Sequence, residues 1–108
     1  MPEFHTVCKF GDIPVGEARM FLVNDTMIGV FNIGGEFFAI QNECPHAAAS
    51  LAHGFIDGDT VTCRIHQWRF CIRDGTYLDE DKPRFNAETF QVRVIGEEVR
   101  VEFVAGES

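Results

Sequence analysis

The sequence predicts an all-β fold made of antiparallel strands. Apolar and polar residues alternate in short runs, which is the period of strands with one buried face and one wet face. Pairs of Asn, Asp and Gly residues that favour tight turns separate these runs. No stretch of about ten residues or more shows the period of a helix. Together these observations favour an all-β class over a helical one.

A three-stranded meander is predicted in the N-terminal part. The runs Ala18–Val23 and Thr26–Ile33 flank the turn pair Asn24-Asp25. Gly34-Gly35 then turns the chain into a third run, Glu36–Ile40. Because each turn is only two residues long, the three runs are expected to pair as neighbours in one antiparallel sheet.

A hairpin is predicted near the C-terminus, around a turn at Gly96. Apolar residues alternate with polar ones on both sides of that turn, so each strand is expected to bury one face. The apolar positions are Phe90, Val92 and Val94 in the first strand and Val99, Val101 and Phe103 in the second.

Length and composition indicate one globular domain. A chain of 108 residues is too short for two well-buried cores. It has enough apolar material to pack one core, because 45% of its residues are hydrophobic and 11 residues are Phe. The net charge of −8 argues against binding to nucleic acid or to anionic membrane surfaces.

The expected location is the cytoplasm. Charged residues interrupt the N-terminal stretch where a signal peptide needs an apolar run, and no apolar run approaches the ~20 residues of a membrane span. In that reducing compartment Cys8 and Cys71 are expected to be free thiols rather than a disulfide.

The chemistry is expected between about residues 42 and 83, where turn residues break up short runs. Cys44-Pro45-His46 and Cys63-Arg64-Ile65-His66 each offer one thiolate and one imidazole from a compact loop. Two such loops can close around one centre. A Cys₂His₂ set fits either a tetrahedral structural Zn²⁺ or a [2Fe–2S] cluster with two cysteines on one iron and two histidines on the other.

Spacing favours the cluster over zinc. Zinc fingers pair Cys with Cys and His with His, as in C-x₂₋₄-C followed by H-x₃₋₅-H. Here each loop mixes the two residue types, with C-x-H in the first loop and C-x-x-H in the second. A mixed pair suits a binuclear centre, because each loop can send its cysteine to one iron and its histidine to the other.

The pattern C-x-H, sixteen residues, C-x-x-H resembles the signature of the Rieske proteins. Gly54–Gly58 and Trp68-Arg69-Phe70 resemble the strands around the family's second loop, and Lys82-Pro83-Arg84 resembles its proline-containing loop. The resemblance implies a Rieske-like antiparallel β-sandwich over residues 1–108, with a scaffold at about 1–41 and 84–104 and a two-loop cluster-binding subdomain at about 42–83. It implies one [2Fe–2S] cluster and no catalytic residue. The implied ligands are Cys44, His46, Cys63 and His66.

The sequence also departs from the family pattern near the ligands. The second loop has Arg64 where Pro is common and Gln67 where Gly is common, and Cys71 stands where Asp is common. Ala48 replaces a usual Gly in the first loop. The ligands survive all four changes, so the departures affect the fine shape of the loop tips and the partner surface that they fit.

The resemblance indicates a low-potential ferredoxin. Respiratory-complex members brace their loops with a disulfide at positions that are Ala49 and Ile65 here. The same members donate hydrogen bonds to sulfur from a Ser and a Tyr at positions that are Trp68 and Phe70 here. Missing donors disfavour the electron-rich reduced state, so the potential is expected at the negative end of the Rieske range, on the order of −150 mV.

These observations predict an electron carrier rather than a complete enzyme. The chain has no G-x-G-x-x-G fingerprint for a nicotinamide or flavin cofactor, and four ligands leave no open position for substrate. The favoured hypothesis is a ferredoxin that takes electrons from an NAD(P)H-dependent flavoprotein reductase and delivers them to a terminal oxygenase. The alternatives are the small subunit of an assimilatory nitrite reductase and a cluster-based redox sensor.

Overall fold

The computed structural model describes residues 2–23, 25–44, 49–65 and 67–104. Three short 3₁₀ turns lie at Phe10–Asp12, Leu51–His53 and Pro83–Phe85. Within these residues no helix is long and apolar enough to cross a membrane. The strands are β1 (Pro2–Lys9), β2 (Ala18–Val23), β3 (Thr26–Ile33), β4 (Glu36–Gln41), β5 (Phe55–Asp57), β6 (Thr60–Thr62), β7 (Arg69–Cys71), β8 (Thr89–Phe90), β9 (Val92–Ile95) and β10 (Glu98–Val104).

The described strands form three antiparallel sheets, which confirms the predicted fold class. Their orders are β1-β10-β9, β2-β3-β4-β8 and β5-β6-β7. The first two sheets share one core, in which Val99 and Val101 of β10 pack with Ile28 and Val30 of β3. These four side chains are fully buried. Their burial from both sheets is what joins the two layers into a sandwich.

The N-terminal meander forms with nearly the predicted bounds. Strands β2 and β3 match the predicted runs, and β4 extends one residue further, to Gln41. The second turn works because Gly34 and Gly35 take φ values of 63° and 94°, a conformation that glycine adopts without steric cost. In the first turn Asp25 takes φ 64°, which Asp tolerates better than most residues.

The C-terminal hairpin also forms, but two details of its prediction are wrong. Phe90, predicted in its first strand, lies in β8 and pairs with Ala39 of β4 in the other sheet. Val99 lies at the sandwich core, whereas its partner across the strands, Val94, is 43% exposed. Strand β9 is an edge strand of its sheet, so Val94 has a neighbouring strand on one side only. Alternation along a strand therefore identifies the face that Val94 shares with Val99 but not how far the core extends across the sheet.

A second core lies between the scaffold and the segment that carries the cysteines. Phe31 and Ile40 come from the scaffold sheet, and Cys44, Cys63 and Phe70 come from the segment packed on it. The chain leaves the scaffold after β4 and returns to it beside the same strand. There the Gln41 N–H donates to the carbonyl of Glu88 (2.7 Å), and the Glu88 N–H donates to the Gln41 side chain (2.6 Å). The division of the chain at about residues 42 and 83 stays a prediction.

Candidate metal centre

The first loop is closed just after β4. The Cys44 N–H donates to the carbonyl of Ala49 (2.9 Å), which brings the two ends of residues 44–49 together. Asn42, only 6% exposed, fastens the base of this loop. Its side-chain oxygen accepts the hydroxyl of Ser50 (3.0 Å) and the backbone N–H of Ala52 (3.2 Å). A buried amide bonded in this way resists displacement, so the cysteine is held in one position.

The second loop joins β6 to β7. The Cys63 N–H donates to the carbonyl of Trp68 (2.7 Å), closing a hairpin over residues 63–68. Gln67, near its end, takes φ 56°, a conformation in which glycine is unstrained. The Arg69 side chain and backbone N–H both bond to Asp79 (2.7 and 2.9 Å). The strand that leaves the loop is thereby tied to the segment that follows it.

The fold brings the two cysteines of these loops together. Cys44 and Cys63 are 2% and 0% exposed and lie in one buried cluster. Burial is the largest cause that raises the pKa of the Cys63 thiol. A hydrogen bond from the backbone N–H of Ile65 lowers this pKa, whereas the hydrogen bond with the Cys44 side chain and the charge of Cys44 raise it further. Two sulfur atoms therefore meet in an apolar interior, each on its own loop.

The other two predicted ligands, His46 and His66, lie outside the described residues. Within the described part of the chain, no three His, Cys, Asp or Glu side chains gather in one group. The full four-residue ligand set therefore stays a prediction, of which the structure brings two members together. Cys8 and Cys71 are free thiols, as predicted. Burial, followed by the charge of Asp12, raises the pKa of Cys8 to about 11.

An aromatic cluster packs against the second loop. The Trp68 ring stacks on Tyr77, with centroids 4.5 Å apart, and meets Phe85 edge-on at 5.2 Å. The Phe70 ring also contacts Tyr77, with centroids 5.6 Å apart. Burial raises the pKa of the Tyr77 phenol, and the negative charges of nearby groups, Cys44 among them, raise it further. The cluster thus shields the cysteines from water on this side.

Sequence reasoning missed the residues that fasten this region. Asn42 and Tyr77 lie in irregular segments, where hydrophobic periodicity carries no information. The backbone N–H of Tyr77 donates to the side chain of Asn86 (2.9 Å), nine residues further along the chain. The available signal was compositional, since Tyr77 is the only tyrosine and stands in a polar stretch.

Asp74 is expected to stabilise the turn after β7 in a pH-dependent way. Hydrogen bonds from Thr76 hold the pKa of its carboxyl below the usual range. A lowered folded-state pKa means that this stabilisation is present above about pH 4 and is lost as the pH falls through the folded value. Urea unfolding at pH 7 should show Asp74→Asn to be less stable than the parent, and the difference should shrink at pH 3. A difference that is equal at both pH values would contradict this role.

A β fold that brings two buried thiols together from neighbouring loops is the arrangement of a small protein with a thiolate-bound metal centre. The chain belongs to the Rieske [2Fe–2S] domain family, whose model matches residues 3–91. It is 35% identical over 101 residues to the biphenyl dioxygenase ferredoxin subunit of Pseudomonas sp. strain KKS102, covering 93% of this chain and 92% of that one. It is 37% identical over 102 residues to the ferredoxin component of biphenyl 2,3-dioxygenase from Rhodococcus jostii RHA1, with 93% and 92% covered.

Solved structures agree with this assignment. The chain superimposes with a TM-score of 0.82 and 29% identity on a chain from a complex of reduced oxygenase and oxidized ferredoxin in carbazole 1,9a-dioxygenase. The match covers 91% of both chains. Together with the sequence relatives, it identifies a Rieske-type ferredoxin.

The described residues fit the [2Fe–2S] cluster that this family implies. Thiolate sulfur is the ligand that iron–sulfur clusters use, and here two cysteines meet away from water. A buried thiol with a raised pKa ionises poorly alone, so a bound metal has to compensate the charge of its thiolate. The N–H of Ile65 also donates to the Cys63 sulfur.

Proposed function

We propose that this chain is a one-electron carrier that takes electrons from an NAD(P)H-dependent flavoprotein reductase and passes them to a terminal oxygenase. In this proposal Cys44, His46, Cys63 and His66 hold one [2Fe–2S] cluster, and the chain has no catalytic activity of its own. The observation that carries the proposal is the meeting of Cys44 and Cys63 in one buried cluster on two closed loops of a Rieske fold.

A bound [2Fe–2S] cluster supplies a one-electron couple whose potential depends on hydrogen bonds to its sulfurs. Ile65 offers one such bond to the Cys63 sulfur. Trp68 and Phe70 have no hydroxyl to add to it. Their rings instead exclude water beside the cysteines, because Phe70 is fully buried and Trp68 packs on Tyr77. This side-chain set supports a carrier at the low-potential end of the family.

The relatives support the choice of partner. Two of them are ferredoxin components of biphenyl dioxygenases, and a third was solved together with its oxygenase. An oxygenase is therefore the acceptor that we propose for this chain, and a reductase of the same kind of system is the donor. A cytoplasmic location belongs to the same proposal and agrees with the free thiols of Cys8 and Cys71.

The test is substitution of this chain for the natural ferredoxin in a reconstituted system. The purified protein should contain two irons and two acid-labile sulfides, with a reduced EPR signal typical of mixed Cys and His ligation. Mixed with the reductase and oxygenase components of the Rhodococcus jostii RHA1 biphenyl dioxygenase, it should support NADH-dependent oxidation of biphenyl. The Cys63→Ser protein is the control and should not.

Two results would count against the proposal. Protein that contains zinc and no sulfide would not be a cluster carrier at all. Loaded protein that the reductase reduces, but that passes electrons to a nitrite reductase and to none of a panel of oxygenases, would assign the chain to the nitrite reductase alternative.

A further inference from the structure

Arg64, which directly follows Cys63, is held in place by two contacts. Its Nε donates a hydrogen bond to the carbonyl of His53. Its guanidinium carbon lies 4.4 Å from the centre of the Phe55 ring. Phe55 pairs across the strands with Thr62, the residue just before Cys63. An exposed arginine usually samples many rotamers, but these contacts keep the charge of Arg64 beside the second loop.

The charge of Arg64 is not neutralised by the described residues. The ion pairs among them involve Arg19, Arg69, Arg73, Lys82 and Arg100, and none involves Arg64. The chain as a whole carries a formal charge of −8. Arg64 is therefore a fixed positive charge next to a proposed ligand in a negatively charged protein.

We infer that Arg64 tunes the proposed cluster electrostatically and makes the protein easier to reduce. Reduction brings in one electron and leaves one more negative charge near Cys63, with no bond formed or broken. A fixed cation attracts that added charge, so it stabilises the reduced state more than the oxidised state. The inference rests on the proposed function, because it requires a cluster at Cys63. Arg64 acts through its charge and is not proposed as a ligand.

The effect should be modest because Arg64 is exposed and water screens its charge. We expect Arg64→Gln to reduce the equilibrium constant for reduction two- to threefold. For one electron this is a fall in potential of roughly 18–28 mV, at about 59 mV per tenfold change. Arg64→Lys should keep most of the parent potential, since it retains the charge while losing the flat contact with Phe55.

Arg93 provides the matched control. Like Arg64, Arg93 is exposed, and its guanidinium carbon lies 4.9 Å from the centre of an aromatic ring, that of Phe4. None of the ion pairs among the described residues involves Arg93. It lies on β9, in the sheet opposite the one on which the ligand segment packs. Arg93→Gln changes the net charge by the same amount, so any effect of total charge alone appears in both variants.

The experiment is a redox titration of the loaded proteins at low and high salt. The inference predicts a lower potential for Arg64→Gln than for Arg93→Gln, and a difference that shrinks as ionic strength rises. Equal potentials for these two variants would overturn it, as would an Arg64→Lys potential as low as that of Arg64→Gln.

Measuring the cluster content of each protein shows whether a negative result contradicts the proposed function or only the inference about Arg64. Iron, sulfide and EPR are measured first in every protein. A parent protein without a [2Fe–2S] cluster would overturn the proposed function, whereas a loaded parent and a loaded Arg64→Gln of equal potential would overturn this inference only. If Arg64→Gln fails to load, Arg64→Ala replaces it. That variant also removes the charge and should lower the potential by the same roughly 18–28 mV. A potential equal to that of Arg93→Gln would overturn the inference.

Discussion

Cys63→Ser protein should be purified with at least about tenfold less iron and sulfide than the parent. Serine oxygen is a poor replacement for the soft thiolate that these clusters require, and loss of a direct ligand should cost no less than the 10- to 100-fold typical of outer-shell changes. Cys44→Ser should behave in the same way, because Cys44 and Cys63 meet in one buried cluster. Iron and sulfide assays with visible absorption give the measurement.

The other two cysteines supply the control for this experiment. Cys8 and Cys71 are half-buried free thiols, so Cys8→Ser and Cys71→Ser should keep the parental iron content. His46→Ala and His66→Ala should lose the cluster if those residues are the imidazole ligands. A normal cluster in any one of the four proposed ligand variants would remove that residue from the site.

Gly75→Ala should destabilise the folded protein by about 3 kcal/mol or more. Gly75 takes φ 76°, where alanine is strained, and an added Cβ would lie 2.1 Å from the carbonyl oxygen of Ala87. That contact is with backbone, which cannot rotate away. The N–H of Ala87 also donates to the Gly75 carbonyl (2.7 Å), so relieving the clash would disturb this bond. Urea unfolding monitored by circular dichroism measures the loss.

Gly58→Ala separates the clash from the backbone strain. Gly58 takes φ 62°, but apart from its two chain neighbours no described residue has a heavy atom within 4 Å of the position of an added Cβ. Its substitution should therefore cost only about 1 kcal/mol, the usual price of a non-glycine residue in this conformation. Equal losses in the two variants would show that the approach of Gly75 to Ala87 does not limit stability.

Local sequence signals predicted the strands of the N-terminal meander well because the information for each of them lies within it. The meander around Gly34-Gly35 has alternation on both sides of its turns, so its bounds could be predicted to within a residue or so. The spacing of Cys44 and Cys63 beside histidines pointed to the metal centre for a similar reason. Each loop contains its own pair of proposed ligands.

Contacts between distant segments could not be predicted in this way. The bonds of Asn42 and the stacking of Trp68 on Tyr77 depend on how the loops pack, and nothing in either segment alone specifies the partner. The same holds for Arg64. The sequence shows that this residue departs from the family pattern, but it does not show that Arg64 contacts Phe55. The exposure of Val94 likewise depends on the width of the sheet around it.

The pairing of Gln41 with Glu88 brings the entry and the exit of the ligand-bearing segment to one point on the scaffold. Two hydrogen bonds join Gln41 to Glu88, the residues that flank this segment, so its two ends lie side by side. Neighbouring strands lie only about 4.8 Å apart, so the loops between these two points can change without moving the ends of the strands that flank them. Arg64 and Gln67 are exposed, whereas Cys44, Cys63 and Phe70 are buried against the scaffold. Substitutions at the exposed loop positions can therefore change the surface offered to a partner while the buried contacts that hold the segment on the scaffold stay the same.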